Sequence, residues 1–257
     1  MNAAITLWNK HMHQMSSSEA FGLLLQPILW VVLFGVGMRG LLTQAGGDET
    51  GLYIAFMAPG IIAVSVQSGA IAGGTVWLDE RVRGIVKEYL VAPIPRLSIL
   101  MGNAMSIVTK SLLQAAIIFI VALLMGMTVT VDLLGWIGGL MLIIGYGLGF
   151  AGIALATASK TNNSGAYHAL IFILNLPVLF LSNALYPLDA LPRWMQIAAQ
   201  LNPTSYVVDG LRQLVLADAT SLAGDMILPV WSCFLVVTLF ATLGMWLALN
   251  AFRSAIE

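Results

Sequence analysis

The residues able to do chemistry or make polar contacts are few and clustered. Asp79, Glu80, Arg81, Arg83, Lys87, Glu88 and Arg96 break an otherwise apolar chain within residues 77–96. Between them Val82, Ile85, Val86, Tyr89 and Leu90 fall at i, i+3, i+4, i+7 and i+8, which places one apolar stripe along a helix and leaves the charges off it. A second group, Asp189, Arg193, Asp209 and Arg212, lies in residues 186–216, where each acid is spaced to pair with the base three or four residues on. His11 and His13 lack a third ligand for a metal. The single cysteine, Cys233, sits in an apolar run and excludes an intramolecular disulfide. No serine–histidine or paired-aspartate arrangement suited to an intramembrane protease is present, so no catalytic residues, no metal and no bound cofactor are expected.

The elements that hold these groups follow from composition. The chain has 257 residues, 59% hydrophobic and 9% charged, with net charge −1. A soluble domain is about 25% charged, so this chain cannot cover itself with a water-facing surface, and it offers no basic face to nucleic acid. A span needs about 20 apolar residues. Six stretches meet or approach that length: 21–38, 52–76, 106–127, 133–158, 166–185 and 226–251. None contains a carboxylate. Lipid offers no partner to a free amide, so spans of this composition are helices. The reading is an all-α integral membrane protein, one domain over 1–257. It has six transmembrane helices, an interfacial helix over 1–18, a cytosolic helix between spans 2 and 3 (77–96), and a short re-entrant or outer helical pair over 186–216 between spans 5 and 6.

Lysine and arginine set the orientation. With six spans both termini share a side. Lys10, Arg81, Arg83, Lys87, Arg96, Lys110, Lys160 and Arg253 then lie together, against Arg39, Arg193 and Arg212 opposite. Both termini are therefore expected in the cytosol. Ile5, Trp8, Met12 and Met15 give the first segment an apolar side suited to the membrane interface. Pro93 and Pro95 end the 78–90 helix, and Pro177 is expected to kink the fifth span. Pro192 and Asn202–Pro203 open the two outer helices. The second of these carries Val207, Gly210, Leu211, Leu214 and Val215 on one face. Gly69/Gly73, Gly135/Gly139 and Gly145/Gly149 let helix backbones approach closely, within one chain or between subunits.

Two stretches, ERVRGIVKEYLVAPIPRLSILMGNAMS and LSNALYPLDALPRWMQIAAQLNPTSYVVDGLR, resemble the permease subunits of type-2 ABC exporters, which move drugs, lipids or polysaccharides outward. The likeness covers essentially the whole chain. Tyr186, Pro187, Leu191, Pro192, Asn202, Pro203, Tyr206, Asp209 and Arg212 occupy the places of the family's outer motif.

The resemblance implies a half-transporter. Two permease copies, as a homodimer in the inner membrane of a prokaryote, would enclose the path, and each would dock a separate ATPase subunit through the 78–90 helix. Glu80, Arg81, Arg83, Gly84, Lys87 and Glu88 are then the expected coupling residues. Pro187, Asp189, Pro192, Asn202, Pro203, Tyr206, Asp209 and Arg212 belong to a lid over the exit. ATP and Mg2+ would be used by the partner: Lys10, Lys87, Lys110 and Lys160 are the lysines, none follows a glycine, and a phosphate-cradling G-x-x-x-x-G-K-[ST] loop is therefore absent from this sequence. Gln26, Gln67 and Asn175, with Phe172 nearby, are the expected path residues. So apolar a path suits an amphipathic substrate (a drug, a lipid or a lipid-linked glycan) amid membrane lipids. The alternative is a secondary transporter or channel working without an ATPase, which predicts intramembrane charges or broken helices in matched halves.

Overall fold

The structure, a computed structural model, describes residues 3–14, six positions between 21 and 33, 50–91, 94–130, 132–184, 188, 192–216 and 228–254. Among these residues there is no strand, and the elements are α1 (Ala3–His13), α2 (Thr50–Val82), α3 (Ile85–Val91), α4 (Arg96–Leu124), α5 (Leu133–Lys160), α6 (Ser164–Phe180), α7 (Arg193–Leu201), α8 (Pro203–Val215) and α9 (Val230–Ser254). Among the described residues, four stretches are long and apolar enough to cross a membrane: Ile54–Val82, Leu97–Leu124, Leu133–Lys160 and Val230–Arg253. They contain the expected second, third, fourth and sixth spans almost completely. Twelve of the eighteen residues of the first expected span, 21–38, lie outside the described residues. The fifth is a helix of 17 residues, Ser164–Phe180.

Local chemistry sets the helix ends. Asp132 caps α5 by accepting from the amides of Leu134 and Gly135, each at 3.1 Å. Asn163 does the same for α6 through Gly165 and Ala166. α6 runs to Phe180 with Pro177 inside its last turn, where the ring removes an N–H and crowds the preceding turn. Pro192 caps α7 and Pro203 takes the first position of α8, where a missing N–H costs nothing.

The largest correction concerns residues 78–90, which do not form one helix. α2 continues through Asp79, Glu80 and Arg81 to Val82; Gly84 then turns the chain at φ +83°, and α3 restarts at Ile85. A Cβ at Gly84 would meet nothing within 4 Å, so the left-handed backbone, not crowding, is what calls for glycine there. The break also splits the expected apolar stripe. Val86 is buried, whereas Val82 is 63% exposed.

α2 is the most buried of the four long helices and α9 the least. Phe56, Met57, Ile61 and Val66 of α2 meet Leu142 and Tyr146 of α5, Val207, Val208 and Leu211 of α8, and Val237 of α9 in one cluster. Nearer the Gly84 end, Leu7 of α1 joins Trp77, Leu78, Val86, Ile99, Leu155, Tyr167 and Phe252. The glycines permit these approaches. A Cβ at Gly152 would overlap the backbone of Gly244 in α9, one at Gly149 the ring of Phe240, and one at Gly135 the carbonyl of Leu214 in α8. Gly69 and Gly73 face Ser111, Gln114 and Ile107 of α4. The small-residue faces are therefore used inside the chain, where close backbone approach gains dense van der Waals contact.

Candidate functional site: two polar clusters on one helix

α2 carries a polar cluster at each end. At the Gly84 end Glu80 is buried. Its Oε1 accepts from Lys10 Nζ at 2.7 Å and from the Tyr89 hydroxyl at 3.2 Å, and it lies 3.2 Å from His11 Nε2. Lys10 Nζ also bonds the Tyr89 hydroxyl and stands 5.0 Å from the centre of its ring. Partial burial disfavours the charged amine, but the bonds to Glu80 and Tyr89 outweigh it and raise the Lys10 pKa above the ordinary 10.5. Arg81 donates to the carbonyls of Ala158 and Thr161, both at 3.1 Å, so a cation meets the C-terminal end of α5. The Trp77 indole donates to Ser159 Oγ at 3.0 Å and the Trp8 indole to Thr109 Oγ1 at 3.0 Å. Thus α1, α2, α3 and α5 are pinned together.

The six residues expected to couple divide into two sets. Glu80 and Arg81 face inward and hold the elbow. Arg83, Lys87 and Glu88 are exposed on or beside α3, with Gly84 in the turn between Arg83 and Lys87. Lys10 and His11, the partners of Glu80, escaped sequence reasoning. They lie 70 and 69 positions away, and no local periodicity links them.

At the other end, Arg212 of α8 is 1% exposed. Its Nη2 donates to the carbonyls of Phe56 (2.9 Å) and Asn183 (3.0 Å), its Nε to Phe56 (3.3 Å), and its Nη1 to Asp209 Oδ1 (3.4 Å). The guanidinium carbon lies 4.0 Å from the centre of the Phe56 ring. Asp209 also accepts from the Asn183 side chain and from the Leu228 amide at 3.3 Å. A buried ion pair is tolerated when its remaining hydrogen bonds are met in this way. Asn202 completes the frame: its Oδ1 accepts from the Thr204 amide at 3.0 Å, and its Nδ2 donates to the α6 carbonyl of Val178 (2.7 Å) and to that of Leu181 just beyond (2.8 Å). The expected i, i+3 pairing of Asp209 with Arg212 is present. The Tyr206 hydroxyl donates to the Gln200 carbonyl at 2.8 Å, and Pro192 is exposed at the start of α7. Tyr186, Pro187, Asp189 and Leu191 lie outside the described residues.

The two short helices differ. α7 exposes Trp194, Ile197 and Leu201, while α8 is buried against α2, α5 and α9. Of the expected path residues, Gln67 is buried midway along α2, where its Oε1 accepts from the Tyr146 hydroxyl at 3.4 Å; that hydroxyl also lies 2.8 Å from Thr204 Oγ1. Phe172 is exposed on α6. Gln26 and the Asn175 side chain lie outside the described residues.

Residues 3–216 match the sequence model of a family described as ABC-2 type transporter. Among curated proteins, the chain is 34% identical over 195 residues to the candidate transport permease ycf38 of Porphyra purpurea, covering 74% of this chain and 65% of that one. It is 24% identical over 236 residues to the daunorubicin resistance ABC transporter permease protein DrrB1 of Streptomyces coeruleorubidus, covering 90% and 80%. It is 29% identical over 204 residues to nodulation protein J of Rhizobium leguminosarum bv. trifolii, covering 77% and 74%. The chain thus spans about 65% of the length of the ycf38 relatives it matches.

Proposed function

The chain belongs to the ABC-2 type transporter family, as a membrane transport permease, and from that premise we propose that it is the membrane-spanning subunit of an ATP-driven exporter. It works with a second copy of itself, and each copy docks a separate ATPase that binds ATP and Mg2+. The path between the copies carries an amphipathic substrate: a drug, a lipid or a lipid-linked glycan. The match over residues 3–216 carries the transport reading. The elbow supports the coupling. Arg83 in the turn and Lys87 and Glu88 on the short α3 are exposed at the tip of a 33-residue helix, clear of the internal bonds made by Glu80 and Arg81. The exposed three are the contact set for the ATPase, and the two bonded into the bundle are its mounting.

A displacement of α3 by ATPase closure would pass into α2. At 1.5 Å per residue, the 24 residues from Phe56 to Glu80 span about 36 Å, so one helix joins the docking end to the buried Arg212 cluster over the exit. The inward- to outward-facing change is then a shift of α2 and the α8 lid it holds.

The test is co-purification of the permease with its ATPase and measurement of substrate-stimulated hydrolysis in Arg83→Glu/Lys87→Glu. The expected outcome is loss of stimulation with the permease still folded and inserted. Normal stimulation in that variant would remove the docking role. A hydrophobic dye and a glycan-bearing lipid, compared as stimulants, separate the substrate classes.

A further inference from the structure

α2, α4, α5 and the end of α8 enclose a cavity of about 410 Å3, within the range of small-ligand sites. It exists because small residues, Ala58, Ala115, Ala116 and Gly139, come together where the four helices meet. Every lining side chain is apolar except the indole of Trp136, and its Nε1 is already donated to the Thr130 carbonyl at 2.9 Å. A buried water needs two or more polar partners, which this cavity lacks, so its fitting occupant is a hydrocarbon.

The openings decide which hydrocarbon. The end beside Leu216 is roofed by the antiparallel bridge of Val129 with Leu216, where the Thr130 amide donates to the Val215 carbonyl at 2.9 Å. The floor, Ala58, Ala115 and Leu211, is buried. The side is open: Ile120 of α4 is 54% exposed and Leu140 of α5 is 49% exposed, and Ala116 lies beside them. Leu113 and Leu124 share the face of Ile120, and Leu133 and Ile137 share that of Leu140; all four are exposed. The mouth is therefore set in an apolar, outward face of two spans and opens sideways into bilayer hydrocarbon.

We propose that this cavity is a binding site for one acyl chain of a bilayer phospholipid. The chain enters between Ile120 and Leu140 and lies against α8, with its headgroup left outside the bundle. Because α8 also carries Arg212, the lipid packs directly on the helix that closes the outer cluster. The site lies within one permease and depends only on the chain being in a membrane. Its failure would leave the ATPase-coupling proposal untouched, and the reverse also holds.

The probe is phosphatidylcholine brominated at mid-chain, mixed into nanodiscs holding the full chain. The signal is the fluorescence of Trp136, obtained as the difference between wild type and Trp136→Phe. Saturating quenching at a low fraction of brominated lipid is expected, relieved several-fold by Ala116→Phe. That position is exposed at the mouth, so the larger ring blocks entry without disturbing the core. An Ile137→Trp reporter, facing bulk lipid, should be quenched equally with and without the Ala116→Phe block. Quenching of Trp136 that rises linearly with brominated lipid, or that Ala116→Phe leaves unchanged, would overturn the proposal. So would quenching by dibrominated stearic acid but not by the phospholipid. An unquenched Trp136 with ready disulfide formation between copies of Ile120→Cys would assign the face to a second copy instead.

Discussion

Asn202 uses both ends of its amide: the oxygen starts α8 and the nitrogen closes the carbonyls at the end of α6. Its capping of α8 was legible from the Asn-Pro pair; its hold on α6 was not, since those carbonyls lie 24 and 21 positions away. Arg212 shows the same division. Replacing it with methionine strands Asp209 in the interior, and a loss of about 3–5 kcal/mol is expected. A double variant, Arg212→Met/Asp209→Leu, should recover part of that, as read by thermal unfolding in detergent. At the other cluster, Lys10→Met should cost about 1–2 kcal/mol by leaving Glu80 with one partner fewer. Its pH dependence has a definite sign. The folded pKa of Lys10 is raised, so its contribution is fully present below the ordinary 10.5 and is lost as pH rises through the higher folded value. The Tm difference between wild type and Lys10→Met should therefore hold steady from neutral pH to about 10 and shrink above it.

Among the elements, helix lengths followed from apolar runs, yet one break did not. The 78–90 stripe has faultless helical spacing, but Gly84 takes a left-handed φ and divides it. Periodicity records which side chains could share a face and is silent on a single backbone reversal. Gly84→Ala should cost about 1 kcal/mol through that strain alone, because no atom crowds the new methyl. Gly152→Leu should act in the opposite manner. The backbone there is ordinary helix, but the side chain would drive α5 from Gly244 of α9, so expression of folded protein should fall sharply while Gly165→Ala is tolerated. Fluorescence-detected size exclusion of the two variants side by side distinguishes crowding from a general intolerance of glycine replacement.

For the molecule as a whole, the charges around the Gly84 turn separate by depth. Glu80 and Arg81 are bonded into the bundle, while Arg83, Lys87 and Glu88 meet solvent. Charge reversal at Arg83 and Lys87 should leave the stability of the isolated permease within about 0.5 kcal/mol of wild type, whereas Glu80→Gln should lower it. A coupling defect in the first variant and a folding defect in the second would assign the two roles. The sequence by itself determined the solvent of this protein, its long helices and their composition, because a 9% charged chain with repeated apolar runs has no other way to satisfy its backbone in lipid. It also supplied the family, since the elbow and outer motifs are contiguous in the chain. Tertiary structure alone decided which charges turn inward, that the glycines pack within one subunit, and that α8 is buried while α7 is not. Those outcomes rest on contacts between residues tens of positions apart. Burial of a charge in lipid is permitted only where a distant partner meets it, and no local pattern names that partner.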